Sequence, residues 1–196
     1  EKACLGQLLE AYRSYLRLLA TTMIDGRLRA KISASDLVQE TMLGAYRDFA
    51  QFRGSTERQL LGWLRQILIN RLHTYVQQHV LAAKRDVRRE ISLEEIQLAL
   101  ARSTANLEVG LSLKGREPSP SSNAIRQENA VRLADHLAHM PPEYREVIVL
   151  RNLKGLTFGE VAEQMNRSAG AVRMLWLRAV RQLRERLEDA EGGIVL

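Results

Sequence analysis

Apolar residues along most of this chain recur at intervals of three and four, the spacing that lines one face of an α-helix. From residue 5 to residue 90 helix follows helix. Within that run, a helix over 36–52 carries Val38, Met42, Ala45, Tyr46 and Phe49 as a core stripe, and one over 60–78 buries Leu60, Leu64, Ile67, Leu68 and Tyr75. A short amphipathic piece covers 91–101, with Ser92 as its N-cap and Glu95 completing a capping box. Residues 103–123 lose the period. They carry Gly110, Gly115, Pro118 and Pro120 and end in Ser119-Pro120-Ser121-Ser122-Asn123, a linker by composition. Helical spacing returns from Ala124 to about Leu187, interrupted at Met140-Pro141-Pro142 and near Asn166. No strand-like alternation of useful length and no solenoid repeat is visible. The pattern predicts an all-α chain of two small helical domains, an N-terminal helical bundle and a C-terminal helix-turn-helix domain, joined by a flexible linker. The expected boundaries are 1–90, a linker at 91–128, 129–187, and a tail at 188–196.

Composition narrows the class. Of 196 residues, 45% are hydrophobic and 27% charged, a globular balance. No apolar run is long enough to span a membrane, and no basic-then-apolar leader is visible at Glu1. Cys4 is the only cysteine, which excludes an internal disulfide framework and makes a reducing cytoplasm the simplest setting. The net charge is +6, and its distribution says more than its size. Residues 58–90 hold seven basic and two acidic side chains, and residues 166–186 hold six Arg and one Glu. Residues 91–165 between them hold eight basic and ten acidic. Two basic stretches around a near-neutral middle suit two phosphate contacts, although charge alone fits two solvated helix faces equally well.

Residues 158–177 fit a helix-turn-helix. Val161, Ala162 and Met165 form the inner face of the first helix, with Ala162 small enough for a close crossing. Asn166 falls at the turn, where the residue must tolerate a left-handed backbone, and Ser168 caps the second helix. Val172, Leu175, Trp176, Ala179 and Leu183 face inward, while Arg173, Met174, Leu177, Arg178 and Arg181 face out. Small residues Ala169, Gly170 and Ala171 allow close approach to a duplex. Such a face suits the major groove, where Arg meets guanine edges or phosphates and apolar tips meet thymine methyls. Met174 and Leu177 are equally suited to a protein partner.

The N-terminal half carries two further patterns. Opposite the core stripe of the 36–52 helix lie Asp36, Gln39, Glu40, Leu43 and Arg47, a polar face with one Leu that could dock a partner helix or stand in solvent. On the 60–78 helix, Gln66, Asn70, His73 and Gln77 form an uncharged ladder, with Trp63 beside it. Amides pair with base edges and an aromatic ring stacks on bases, although a neutral solvated face reads the same way. Lys84, Arg85, Arg88 and Arg89 follow and could track a phosphate backbone. His136 and His139 have the spacing of a metal pair but no carboxylate–histidine motif or cysteine cluster beside them, so no metal or cofactor is expected. No phosphate loop, nucleophile elbow or paired catalytic acid is evident, and the chain reads as a binding protein rather than an enzyme.

On these residues the chain resembles bacterial RNA polymerase sigma factors of the extracytoplasmic-function (ECF) group. Asp36-Leu37-Val38-Gln39-Glu40 is similar to their core-binding motif. Phe52-Arg53-Gly54, Trp63-Leu64, Ile67 and Asn70 are similar to their promoter-melting segment. Pro142 to Val147, Gly155-Leu156-Thr157, Glu160-Val161-Ala162 and Val172-Arg173 through Arg178-Ala179 to Leu183-Arg184 are similar to their second DNA-binding domain. The resemblance covers about residues 8–90 and 129–187. Three positions and one loop depart from the usual pattern: Thr74, Gln77 and Leu175 replace a frequent Asp, Arg and Arg, and the loop between Phe52 and Trp63 is slightly long.

The resemblance implies a dissociable promoter-specificity subunit of core RNA polymerase. Asp36, Gln39, Glu40, Leu43 and Arg47 would then dock on the clamp helices of the largest subunit. Phe52, Gly54, Ser55, Trp63, Arg65, Gln66 and Asn70 would surround the melted non-template strand of the minus-ten element. Ser168, Ala169, Arg173, Met174, Leu177, Arg178 and Arg181 would meet the minus-thirty-five duplex. The second domain would lie by the flap of the second-largest subunit, and the linker near the RNA exit path. Many family members are held by an anti-sigma factor, which makes one a candidate partner. An ordinary helix-turn-helix regulator would account for 158–186 but not for the amide ladder or the acidic helix, and a helical adaptor binding only proteins would account for neither DNA-facing pattern.

Overall fold

The computed structural model describes residues 2–24, 32–80, 93–110 and 120–192, and every regular element among them is helical. They form two compact units, Glu1–Thr104 and Ala105–Leu196. Among the described residues no helix is long and apolar enough to cross a membrane.

Unit 1 holds α1 (Lys2–Glu10), α2 (Arg13–Met23), α3 (Ala34–Asp48), which tightens into a 3₁₀ turn at Phe49–Gln51, and α4 (Glu57–Val80). Ser33 starts α3 in extended backbone, its hydroxyl accepting from Ser35 N–H. Thr56 starts α4 reciprocally: its hydroxyl accepts from Gln59 N–H while Gln59 Oε1 accepts from Ser55 and Thr56 N–H. Tyr15, Leu16 and Leu19 of α2, Leu37 of α3, and Leu61, Leu64, Leu68 and Leu72 of α4 are fully buried. Each such leucine contributes about 1.5–3 kcal/mol. Gly44 lets α3 approach α4: a Cβ there would stand 3.3 Å from Arg71 Nη2 and 3.5 Å from Ile67 Cγ2.

The core stripes are wider than the sequence alone predicts, and one is rotated. In α3 the buried residues are Leu37, Val38, Thr41, Gly44 and Ala45, whereas Tyr46 is 40% exposed and Met42 and Phe49 are half-buried. Packing against both α2 and α4 draws the stripe towards Leu37. In α4, Leu61, Ile69, Leu72 and Val76 join Leu60, Leu64 and Leu68, while Ile67 and Tyr75 are half-buried.

Helix α5 spans Leu93–Gly110 and the division between units falls inside it. The period therefore continues past residue 101, and α6 (Pro120–Ala138) begins before Ala124. Gly110 and Pro120, read as linker markers, are instead the last residue of α5 and the first of α6, and the fixed φ of proline suits a first helical position. Ser92, the side chain of Glu95, Gly115 and Pro118 lie outside the described residues.

Unit 2 contains α6, α7 (Pro142–Ile148), which widens into a π turn at Val149–Leu153, α8 (Phe158–Gln164) and α9 (Ala169–Gly192). Gly155, at φ +72, reverses the chain after the π turn. Leu137, Val147, Leu150, Val161, Val172 and Ala179 form the centre of the core. Helix α8 carries a full capping box: Thr157 Oγ1 accepts from Glu160 N–H, and Glu160 Oε2 accepts from Thr157 N–H at 2.7 Å and from its hydroxyl at 2.8 Å.

Those bonds, the backbone one first, hold the Glu160 carboxyl below its ordinary value of 4.5. A depressed folded value gives stability that is complete above the unfolded value and lost as pH falls through the folded one. Glu160→Ala is therefore expected to lower the urea midpoint of unit 2 at pH 7. The two proteins should converge once the pH is below the folded value; parallel midpoint curves across that range would contradict this origin.

Candidate nucleic-acid interface

In unit 2 the turn between α8 and α9 closes as the local sequence dictates. Arg167 N–H donates to Ala162 O at 2.9 Å and Asn166 N–H to Glu163 O at 3.3 Å, while Asn166 takes φ +51. This is the paired closure of a helix ending in a left-handed residue, which Asn tolerates better than most. Ser168 Oγ then accepts from Ala171 N–H at 3.2 Å and starts α9. Ser168, Ala169, Arg173, Met174, Leu177, Arg178 and Arg181 are all exposed, with Met174 and Leu177 each at 52%. Val172, Leu175 and Ala179 are buried on the opposite side, and Trp176 and Leu183 are half-buried. At position 175 the helix thus supplies a core residue.

Phe158, a residue that periodicity alone does not single out, organises one edge of this face. Its ring lies 4.8 Å from the Arg151 guanidinium carbon and 5.5 Å from that of Arg173, within cation–π range. The Trp176 ring meets it edge-on at 5.7 Å and donates its Nε1–H to Asn152 Oδ1 at 2.9 Å. A clamped aromatic therefore backs Arg173 before any ligand arrives.

In unit 1 the expected docking residues share the outer side of α3. Asp36, Gln39 and Arg47 are exposed, Leu43 is 62% exposed, and Glu40 is half-buried. Tyr46, one turn after Leu43, extends this face. Arg47 Nε donates to Asp48 Oδ1 at 3.0 Å, which lowers the Asp48 carboxyl and raises the guanidinium.

The expected strand-binding residues gather at the start of α4. Rings of Phe49, Phe52 and Trp63 form a half-buried triangle, with centroids 5.8, 6.1 and 5.1 Å apart. Gly54 is required beneath it: a Cβ would stand 2.7 Å from Phe52 Cε2, closer still to its Cζ, and 2.8 Å from Gln59 Cβ. Ser55 is exposed, and its N–H is taken by Gln59. Trp63, Gln66, Asn70, His73 and Gln77 follow one another at alternating steps of three and four, on one stripe. Gln66 Nε2 donates to Asn70 Oδ1 at 3.0 Å, and Gln77 Nε2 lies 3.2 Å from His73 Nε2. The first bond leaves the Asn70 amide N–H groups and the Gln66 carbonyl uncommitted by it. Thr74 turns its hydroxyl onto Asn70 O at 2.9 Å, so it adds nothing charged to the row.

Arg65 stands apart from this group. Its Nε donates to Tyr15 Oη at 2.6 Å and its guanidinium lies over the Tyr15 ring. Lys84, Arg85, Arg88 and Arg89 lie outside the described residues. His139 Nδ1 is 2.7 Å from Asp135 O, and no group of three metal-ligating side chains occurs among the described residues.

Two family models match the chain: Sigma-70 region 2 over residues 8–80 and Sigma-70 region 4 over residues 130–183. The ECF RNA polymerase sigma-E factor of Haemophilus influenzae is 27% identical over 84% of this chain and 82% of that protein. The ECF RNA polymerase sigma-E factor of Salmonella typhimurium is 30% identical over 74% of this chain and 68% of that protein. A solved structure, that of an RsbN–BldN complex, aligns over 92% of this chain and 89% of that one, at 23% identity and a TM-score of 0.32.

The Gly54 geometry has a direct consequence. Gly54→Ala is expected to displace the Phe52 ring and destabilise unit 1 by about 1–3 kcal/mol, the range for overpacking. Urea unfolding measures the loss, and Trp63 fluorescence in a Trp176→Phe background reports the moved ring.

Proposed function

Because this chain belongs to the ECF sigma factors and directs promoter-specific transcription initiation by RNA polymerase, we propose that its two helical units divide the promoter between them. Unit 1 takes the melted non-template strand of the minus-ten element and unit 2 the minus-thirty-five element as duplex. The observation that carries this division is the contrast between the two exposed faces. The α4 stripe offers amides and an aromatic triangle with no arginine or lysine in the row, whereas the α9 face offers arginines around two apolar tips. Unstacked bases are held by stacking and by amides on their edges; a duplex is held first through its phosphates.

On this reading Asp36, Gln39, Glu40, Leu43 and Arg47, with Tyr46 added, dock on the clamp helices of the largest subunit. Unit 2 lies by the flap of the second-largest subunit, and the protein works in the cytoplasm where the polymerase is. Phe52, Gly54, Ser55, Trp63, Gln66 and Asn70 form the strand pocket. Arg65, engaged with Tyr15, supports the pocket wall. An anti-sigma factor would act by covering one of these faces. The match of residues 8–80 to Sigma-70 region 2 favours this over a regulator acting without polymerase.

Two substitutions separate the tasks in reconstituted holoenzyme. Asn70→Ala is expected to slow open-complex formation about tenfold, the loss of one good hydrogen bond, with core affinity unchanged; equal loss of both would point to a folding defect. Arg173→Ala should weaken closed-complex binding by about 1–3 kcal/mol and reduce the salt dependence by about one counterion, measured by promoter binding across a salt series.

A further inference from the structure

One contact in unit 1 joins the docking face to the strand-binding helix. Tyr75 Oη, on α4, donates to Glu40 Oε1, on α3, at 2.7 Å across 35 residues of sequence. Both residues are half-buried. Glu40 is the carboxylate of the exposed α3 face nearest the α3–α4 seam, while Asp36, Gln39, Leu43 and Arg47 of that face lie further out. A free glutamate samples several rotamers and must lose them on docking. A phenol holds it in one place beforehand. It does so without neutralising it, as a lysine or arginine would, and it uses only one of the acceptor sites of the carboxylate.

We propose that Tyr75 is a positioning residue for polymerase docking, holding the Glu40 carboxylate in one direction to meet a cationic side chain of core polymerase. This rests on the reading of α3 as the docking face. The hydrogen bond to Glu40, with burial second, also raises the phenol above its ordinary 10.0, so it remains a donor through the physiological range. Two helices thereby contribute to one docking group: α3 supplies the charge and α4 fixes its direction. The clip is absent from any local motif, because its halves lie in separate helices.

The test is a double-mutant cycle on the full-length chain, with core affinity measured by competition for labelled polymerase and the thermal midpoint recorded alongside. Tyr75→Phe keeps the ring and removes the donor. It is expected to weaken core binding about three- to tenfold, a range typical of losing one preorganising hydrogen bond, with the thermal midpoint nearly unchanged. Glu40→Ala is expected to weaken binding at least as much, and Tyr75→Phe added to Glu40→Ala should cause no further loss. Full core affinity in Tyr75→Phe, with Glu40→Ala impaired, overturns the clip alone. An equal further loss on the Glu40→Ala background also overturns it, because Tyr75 would then act by another route. Full core affinity in Glu40→Ala overturns the docking reading of α3 and the clip together.

Discussion

Helices α3 and α4 pack together, with Leu37, Val38 and Ala45 buried on α3, Leu61, Leu64, Leu68 and Leu72 buried on α4, and Gly44 admitting Arg71 and Ile67 at close range along the seam. Both surfaces proposed for recognition in unit 1 are consequences of that seam. A helix that commits one side to a core has only the other to offer, so the register of the seam decides which residues are offered. Rotating α3 by one residue would bury part of the Asp36–Leu43 face. Rotating α4 would carry Gln66 and Asn70 inward, where amides without partners are destabilising. The apolar contact is non-specific in its chemistry, yet it sets the specificity of everything outside it.

Unit 2 obeys the same constraint with a stricter local device. The direction of α9 is fixed by the Asn166 turn, the Ser168 cap and the Thr157–Glu160 box, all within twelve residues of sequence. Phe158 then serves two purposes at once. Through Trp176 and Asn152 it ties α9 to the π turn, and it holds Arg173, on the outer face of α9, against an aromatic wall. The widened turn at Val149–Leu153 has a role in this, since it includes Asn152, which the indole bonds.

These differences of range explain what could be read from the sequence. The turn at Asn166 and the outward set from Arg173 to Arg181 depend on neighbours within a few residues and are legible. So is the stripe from Gln66 to Gln77. The core stripe of α3 is legible as a period but not in phase: Tyr46 projects inward from one helix considered alone, and the phase is set by where α2 and α4 lie. Gly110 and Pro120 were ambiguous for a different reason. The residues that punctuate a linker are the same ones that end and begin helices. The bonds from Tyr75 to Glu40 and from Arg65 to Tyr15 span 35 and 50 residues and have no local signal at all. The Thr56–Gln59 box, by contrast, is a local signal that could have placed the start of α4 correctly.

The contrast between the two outer faces carries a consequence for how affinity is assembled. A row of amides with an aromatic triangle discriminates among bases, but it gains little from counterion release because it neutralises no phosphate. An arginine face gains from counterion release but, through phosphates, distinguishes little. Neither unit alone combines strength with selectivity. Joined on one chain and held on polymerase, each engagement raises the effective concentration of the other. On the proposed division, strand capture can be selective while remaining weak, because the duplex contact and the docking face would place the pocket beside the DNA it must open.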